Sequence, residues 1–417
     1  MNTRKRLLAM VALVAAGEMI FSLPFHLPRY LRPSVLEGFN LTNSELGDIF
    51  AVYGVTAMLA YFPGGLIADK FNPKILIIIS LVATAIGGIY LATFPGVIGL
   101  AFLYAYWGIT TIFLFWAGLM KSTREWGGDE AQGRAFGFLE GGRGLAAAVF
   151  ASIAVWLFAQ GIPTLEIINQ ADRRQALSSV IFLYTGLTFL AAISVVIWLP
   201  NNEKSGTYKP LKTSVLKMLL RLDIWLIAIV ITCAYCGYKG LDNYALYAHQ
   251  VLGMSEVESA SFISKTAYLR IFAAISAGLL ADRIQANKTL IFLFLTLFLS
   301  YSFLGIWGGP EELIYFIIIN VIITLLAVFA LRGVYFAMLE ETKIPARNTG
   351  SAVGLVSVVG YTPDIFLAPI GGRILDASPG AEGHLNYFWL LSAISLVGVI
   401  AAVALYFCNK YLTRGKE

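Results

Sequence analysis

The chain is short of charge and of the residues that do covalent chemistry. Charged residues fill only 13% of its 417 positions, whereas hydrophobic residues fill 58%. No soluble core needs that much apolar sequence, so a water-soluble globular protein is excluded and a polytopic membrane protein is expected. The three cysteines, Cys233, Cys236 and Cys408, all fall in apolar runs. Cys233 and Cys236 have redox spacing, but they lie within IAIVITCAYCGY, where plain helix packing is the stronger reading. The three histidines, at 26, 249 and 384, are too scattered to form a metal set. No G-x-S-x-G elbow occurs, and GGRG at 141–144 lacks phosphate-loop spacing. No enzyme, metal or cofactor is therefore expected. The net charge of +5 is scattered singly and in short loops, which fits membrane topology and not a nucleic-acid partner. The basic, apolar N-terminus has no A-x-A site after it and too long an apolar run for a cleaved signal peptide.

What the chain does have is hydrophobic runs. Hydropathy predicts twelve spans, at 6–30, 44–68, 75–95, 97–120, 134–160, 176–199, 222–248, 259–281, 288–308, 312–338, 346–372 and 385–409. Most hold the ~20 residues a helix needs to cross the hydrocarbon. The fold class expected is an all-α membrane protein in the lipid bilayer, as a monomer. With the N-terminus inside, 20 of the 30 Lys and Arg fall in cytoplasmic segments and five in outer ones, namely Arg29, Arg32, Arg173, Arg174 and Arg373. That bias predicts an inner (plasma) membrane protein with both termini cytoplasmic. The longest polar connection, 201–221, is also the most basic, and it reads as a linker between six-helix halves at 1–200 and 222–417.

The halves repeat. GGLIADKFNPK (64–74) closes span 2 and AGLLADRIQANK (277–288) closes span 8, with Asp69 and Asp282 213 residues apart. The loops MKSTREWGGDEAQGRAFG and LEETKIPARNTGSAVG, after spans 4 and 10, echo each other too. Parallel six-helix repeats imply a binding site near the midplane.

The loop after span 2 resembles the G-x-x-x-D-[RK]-x-G-[RK]-[RK] signature of the major facilitator superfamily. Gly65, Asp69, Lys70 and Lys74 match it, while Asn72 and Pro73 depart from it. The second copy keeps Gly278, Asp282, Arg283 and, one residue late, Lys288. The resemblance implies two pseudo-symmetric six-helix bundles, alternating access, and a gating role for these residues. In that role an Asp at a helix end pairs with, or accepts from, the neighbouring helix. Positive-inside topology alone is the plainer account. Arg332, eight residues before Glu340, is placed with the gate.

A finer resemblance is to the organophosphate:phosphate antiporters. DKFNPK is similar to their Asp-Arg-x-Asn-Pro-Arg, and GRAFGFLEGGRG to their span 5. This puts Arg143 on that family's histidine and Glu140 on its asparagine. YCGYKGLDNY puts Lys239 near its substrate-binding arginine, with Tyr238 beside it. Span 1 departs, because the family's arginine maps onto Pro24–His26. The basic pair that grips phosphate there falls here on His26 and Lys239, or is missing.

Four acids (Glu18, Glu140, Asp242 and Asp364) and five bases (Arg143, Lys239, Lys265, Arg270 and Arg332) fall well inside the spans. Each costs roughly 2.5–3.5 kcal/mol at mid-bilayer, so cavities or partners are expected. One excess positive charge plus His26 suits an anionic substrate. Glu140 and Arg143, spaced i, i+3, share a helix face, either as a fixed ion pair or as a substrate ligand and its counter-ion. Lys239 and Asp242 repeat that spacing. Arg270 lies 12 residues before Asp282, about 18 Å along a helix, and either binds substrate or pairs with a neighbour. Lys265 snorkels outward. Glu18, alone on span 1, is either a proton-coupling site, since desolvation disfavours a charged carboxylate, or a counter-ion. Asp364, after Pro363, is a second coupling candidate or a partner of a base. Trp107, Trp116 and the tyrosines of 103–108 stack on a sugar or pack against other helices.

The function expected is secondary active transport of a small organic anion (a phosphorylated or sulfonated sugar, or a related acid), coupled to a proton or a counter-anion. A proton-coupled monocarboxylate carrier using Arg270 and Glu18 is one alternative. A transporter-like membrane sensor is the other.

Overall fold

A computed structural model describes residues 3–128, 132–163, 168–201, 221–309, 311–335, 338 and 356–414. Among these residues there is no strand. Nine helices are long and apolar enough to cross a bilayer, and a bent pair makes a tenth. The two others expected stand as Asn43–Lys70 and as the helical stretch 356–360 followed by Pro363–Ala377.

The chain forms two compact units, Met1–Tyr208 with Met254–Tyr268, and Lys209–Gly253 with Leu269–Glu417. Most of the segment read as a linker, 202–220, lies outside the described residues.

The first unit opens with α1 (Thr3–Met19), followed by a π-helical turn at Ser22–His26, α2 (Leu27–Tyr30) and α3 (Arg32–Phe39). The axis bends by 42° at the turn. A break inside a membrane helix frees carbonyls that lipid cannot satisfy. Here the carbonyl of Met19 accepts from Ser22 Oγ at 2.7 Å and from Thr188 Oγ1 at 3.0 Å. The carbonyl of Pro24 accepts from the Tyr104 hydroxyl at 3.0 Å. Pro28 and Pro33 sit in the first turns of α2 and α3, where a missing N–H costs nothing. The helical path therefore runs on to Phe39, past the expected end near 30. Arg29 and Arg32, expected in an outer loop, are buried on it, at 8% and 3% exposure.

Next come α4 (Asn43–Lys70), α5 (Pro73–Leu91), α6 (Val97–Gly108), a π-helical stretch (Ile109–Trp116), α7 (Ala117–Gly127), α8 (Gln132–Gln160) and α9 (Gln170–Trp198). Reciprocal capping boxes start α4 (Thr42 with Glu45) and α9 (Asn169 with Asp172). Asn72 caps α5, with Pro73 as its first residue. Trp107 is fully buried, and its indole donates to the Thr84 carbonyl at 3.2 Å. Together with the Tyr104–Pro24 bond, this assigns that aromatic run to helix packing.

The second unit holds α10 (Leu222–Gly240), a 3₁₀ turn (Leu241–Asn243) and α11 (Tyr244–Gln250). Span 7 thus tightens from α to 3₁₀ just after Lys239. Span 8, expected to be continuous, is split into α12 (Glu256–Thr266) and α13 (Leu269–Ile284), with turn residues Ala267 and Tyr268 between. The units divide at the same point, and α12 packs on α8 and α2 of the first unit. α14 (Ala286–Trp307), α15 (Ile314–Val334), α16 (Pro363–Ala377) and α17 (Ala381–Arg414) complete the second unit. Cys233 and Cys236 are buried free thiols.

At the start of α12, Glu256 is 5% exposed. It accepts from Ser34 Oγ at 2.5 Å and from Arg173 Nε at 2.8 Å. Glu256→Ala removes the acceptor of both and is expected to cost about 3 kcal/mol, the scale for breaking a buried pair. Chemical unfolding in detergent would read this; an unchanged midpoint would show that the contact is not stabilising.

Candidate substrate and coupling sites

In the first unit, α1 and α8 come close because their facing positions are glycines. A Cβ on Gly142 would lie 2.6 Å from Val14 Cγ2, and one on Gly17 would lie 3.1 Å from Arg143 Cδ. That proximity lets Arg143, 7% exposed, reach the end of α1. Its Nε donates to the Gly17 carbonyl at 3.0 Å and to Glu18 Oε2 at 3.1 Å. Its Nη1 donates to Glu140 Oε1 at 2.6 Å. The other oxygen of Glu18 lies 3.1 Å from His26 Nε2, which the π-helical turn brings back over α1. The guanidinium also stands 5.9 Å from the ring centres of Phe21 and Trp116.

Glu18 is therefore not alone. It is 3% exposed and shared between an imidazole and a guanidinium, whereas the Glu140 side chain at the other end is 47% exposed. The cluster thus sets two carboxylates and an imidazole around one guanidinium.

In the second unit, Lys239 is 5% exposed, with its Nζ 3.0 Å from Asp242 Oδ2 and 3.5 Å from Asp364 Oδ1. The first contact follows from the i, i+3 spacing. The second joins α10 to α16. Tyr235 donates its hydroxyl to both oxygens of Asp364, at 3.1 and 3.0 Å. Its ring stacks on Tyr238 at 6.0 Å and meets Tyr361 edge-on at 4.8 Å. Arg332 lies over Tyr238, 3.9 Å from the ring centre. Arg332, expected at the gate, thus stands with the Lys239 cluster; Glu340, its expected neighbour, lies outside the described residues.

Arg270 is half-buried in the first turn of α13, and Lys265 is exposed. Of the gating residues, Lys70 and Arg283 are exposed, and a Cβ on Gly65 or Gly278 would meet nothing within 4 Å. The side chains of Asp69 and Asp282, and the loop after span 10, lie outside the described residues. Lys74 donates to the carbonyls of Val196 and Leu199 at 2.9 and 2.7 Å, closing the C-terminal end of α9. The tyrosines beside Lys239 in sequence signalled Tyr235, but its hydrogen bonds to Asp364 and its contact with Tyr361 join helices far apart in the chain and carried no sequence signal. Among the described residues no group of three or more His, Cys, Asp or Glu is arranged to hold a metal.

The sequence profile described as Major Facilitator Superfamily matches residues 7–368. The chain is 28% identical to the inner membrane protein YihN of Escherichia coli K12, over 97% of this chain and 96% of that protein. It is 26% identical to the inner membrane protein YqcE of the same organism, with the same coverage. Its fold is similar to that of a bacterial homolog of the human lysosomal transporter Spinster, solved inward-facing and occupied. The TM-score is 0.74 and the identity 14%, over 99% of this chain and 97% of that one. With a profile match across most of its length, helices that span a membrane and paired charge clusters inside them, this chain belongs to the major facilitator superfamily and is a multi-pass membrane transporter, not an enzyme.

Proposed function

We propose that the protein carries a small organic anion together with a proton by alternating access. The observation that carries this reading is the sharing of Glu18 between His26 and Arg143, with Glu140 on the far side of Arg143. That cluster gathers two carboxylates and an imidazole, the side-chain types that carry protons, around one guanidinium inside the span. The anion is recognised by Lys239 and Arg332, with Tyr235 and Tyr238 providing flat faces for the carbon skeleton of a sugar. Asp242 and Asp364 hold Lys239 in place until the anion arrives. A phosphorylated or sulfonated sugar, or a related acid, fits these groups. The topology proposed has both termini in the cytoplasm, from the bias of basic residues, and the protein works as a monomer.

Uptake into proteoliposomes tests this. An inward proton gradient is expected to drive accumulation of a sugar phosphate or sugar sulfonate, and Arg143→Ala is expected to abolish it. Uptake driven equally well by an outward phosphate gradient with no pH change would instead favour anion antiport. The half-buried Arg270, two residues past the break in span 8, favours a second reading as a monocarboxylate carrier. Lactate uptake that collapses in Arg270→Ala would support it.

A further inference from the structure

A cleft of ≈ 330 Å³ opens in the first unit, where the start of α1, the start of α5 and the ends of α7 and α9 meet. Its polar lining includes Arg6, Lys74, Ser122, Glu125 and Trp126. It is separate from the Glu18 and Lys239 clusters, and of its polar lining only Lys74 was expected to take part in transport, at the gate. We propose that this cleft binds a phosphate oxyanion, that of a monoanionic phospholipid headgroup.

Three features carry the proposal. The first is charge that the protein leaves unbalanced. Arg6 donates to the Trp126 carbonyl at 3.0 Å and lies 4.9 Å over the Trp126 ring, while the Trp126 indole donates back to the Arg6 carbonyl at 2.7 Å. Lys74 is held by the two α9 carbonyls. All of these acceptors are neutral, and among the described residues neither base has a carboxylate partner. The 19-residue α5 also begins here and adds the positive end of its dipole.

The second feature is Ser122. The residue lines the cleft and is 5% exposed, and its buried hydroxyl oxygen has no hydrogen-bond partner. A buried hydroxyl without a partner is costly, and an oxyanion in the cleft gives it an acceptor.

The third feature selects the ligand. With Glu125 in the lining, the two bases leave one net positive charge, which matches the single charge of a phosphodiester. The turns that follow Arg6 and Lys74 expose Leu7, Val11 and Ile75, at 62%, 48% and 52%. These give acyl chains an apolar surface beside the headgroup, and Trp126 is a residue type enriched at the membrane interface.

The test uses the purified full-length protein in detergent, titrated with phosphatidylglycerol, phosphatidylcholine or inorganic phosphate, with thermal stability and native mass spectrometry as readouts. Phosphatidylglycerol is expected to stabilise the protein at concentrations about tenfold below phosphatidylcholine, and Arg6→Gln to erase that tenfold preference. Ser122→Ala, a milder change should Arg6→Gln fail to fold, is expected to weaken phosphatidylglycerol binding in the same direction. Lys265→Gln, an exposed base outside the cleft, is expected to leave binding unchanged. Inorganic phosphate that competes with the lipid and loses its effect in Arg6→Gln would support the oxyanion site with a free anion as its source. Equal binding of the two lipids, or a phosphatidylglycerol preference that survives both Arg6→Gln and Ser122→Ala, would overturn the proposal.

Discussion

Lys239→Ala is expected to abolish transport and to destabilise the second unit. The ammonium lies within salt-bridge reach of both Asp242 and Asp364, at 3.0 and 3.5 Å. Without it Asp242 and the largely buried Asp364 lose the cation they share, while Asp364 keeps the Tyr235 hydroxyl. Breaking a buried pair from one side costs about 3–5 kcal/mol. Loss of a desolvated charged contact to the anion costs a further ~2–5 kcal/mol of binding, so uptake is expected to fall at least about thirtyfold. The two effects separate in the double variant Lys239→Ala with Asp242→Asn. Removing one negative charge is expected to recover much of the thermal stability while leaving transport dead. If the double variant recovered transport as well, Lys239 would be a structural counter-ion and the anion would bind elsewhere.

Glu18→Gln is expected to uncouple the carrier. The amide is nearly isosteric, so the approach of α1 to α8 is kept, and Gly17 still offers its carbonyl to Arg143. What is lost is the carboxylate shared by His26 and Arg143, at a stability cost of about 1–3 kcal/mol for the weakened charged hydrogen bonds. The variant is expected to exchange labelled substrate across a proteoliposome membrane but not to accumulate it against a gradient when a proton gradient is imposed. Accumulation that persists unchanged would move the coupling proton away from Glu18. His26→Gln is the companion measurement, because it removes the other group in the cluster that can hold that proton.

Much of this architecture could be read before any coordinates. The hydropathy runs, the paired Gly-x-x-x-Asp loops and the singly scattered bases led to a twelve-helix, two-fold repeated transporter, because burial of backbone in lipid leaves little choice but helices. The ion pairs Glu140–Arg143 and Lys239–Asp242 were also legible, because i, i+3 spacing is a local property of the helix. The breaks in spans 1 and 8 were not. Hydropathy sees a continuous apolar run at each, and it is blind to the carbonyls that Ser22, Thr188 and Tyr104 satisfy at the first break. The burial of Arg29 and Arg32 was missed for the same reason, since a helix that resumes after a bend looks like a loop to a count of apolar residues.

The sequence by itself therefore determined the class of protein, its helices, its internal repeat and the inventory of buried charge. All of these are set by composition and by periodicity along one chain. Only the tertiary structure decided which charges are partners. Glu18 with His26 and Arg143, Lys239 with Asp364, Arg332 against Tyr238, and Glu256 with Ser34 and Arg173 join residues on different helices or across a helix break. Their approach depends on glycine contacts and breaks that bring side chains together in space. Spacing fixes what one helix turns toward its neighbour; packing fixes which neighbour is there.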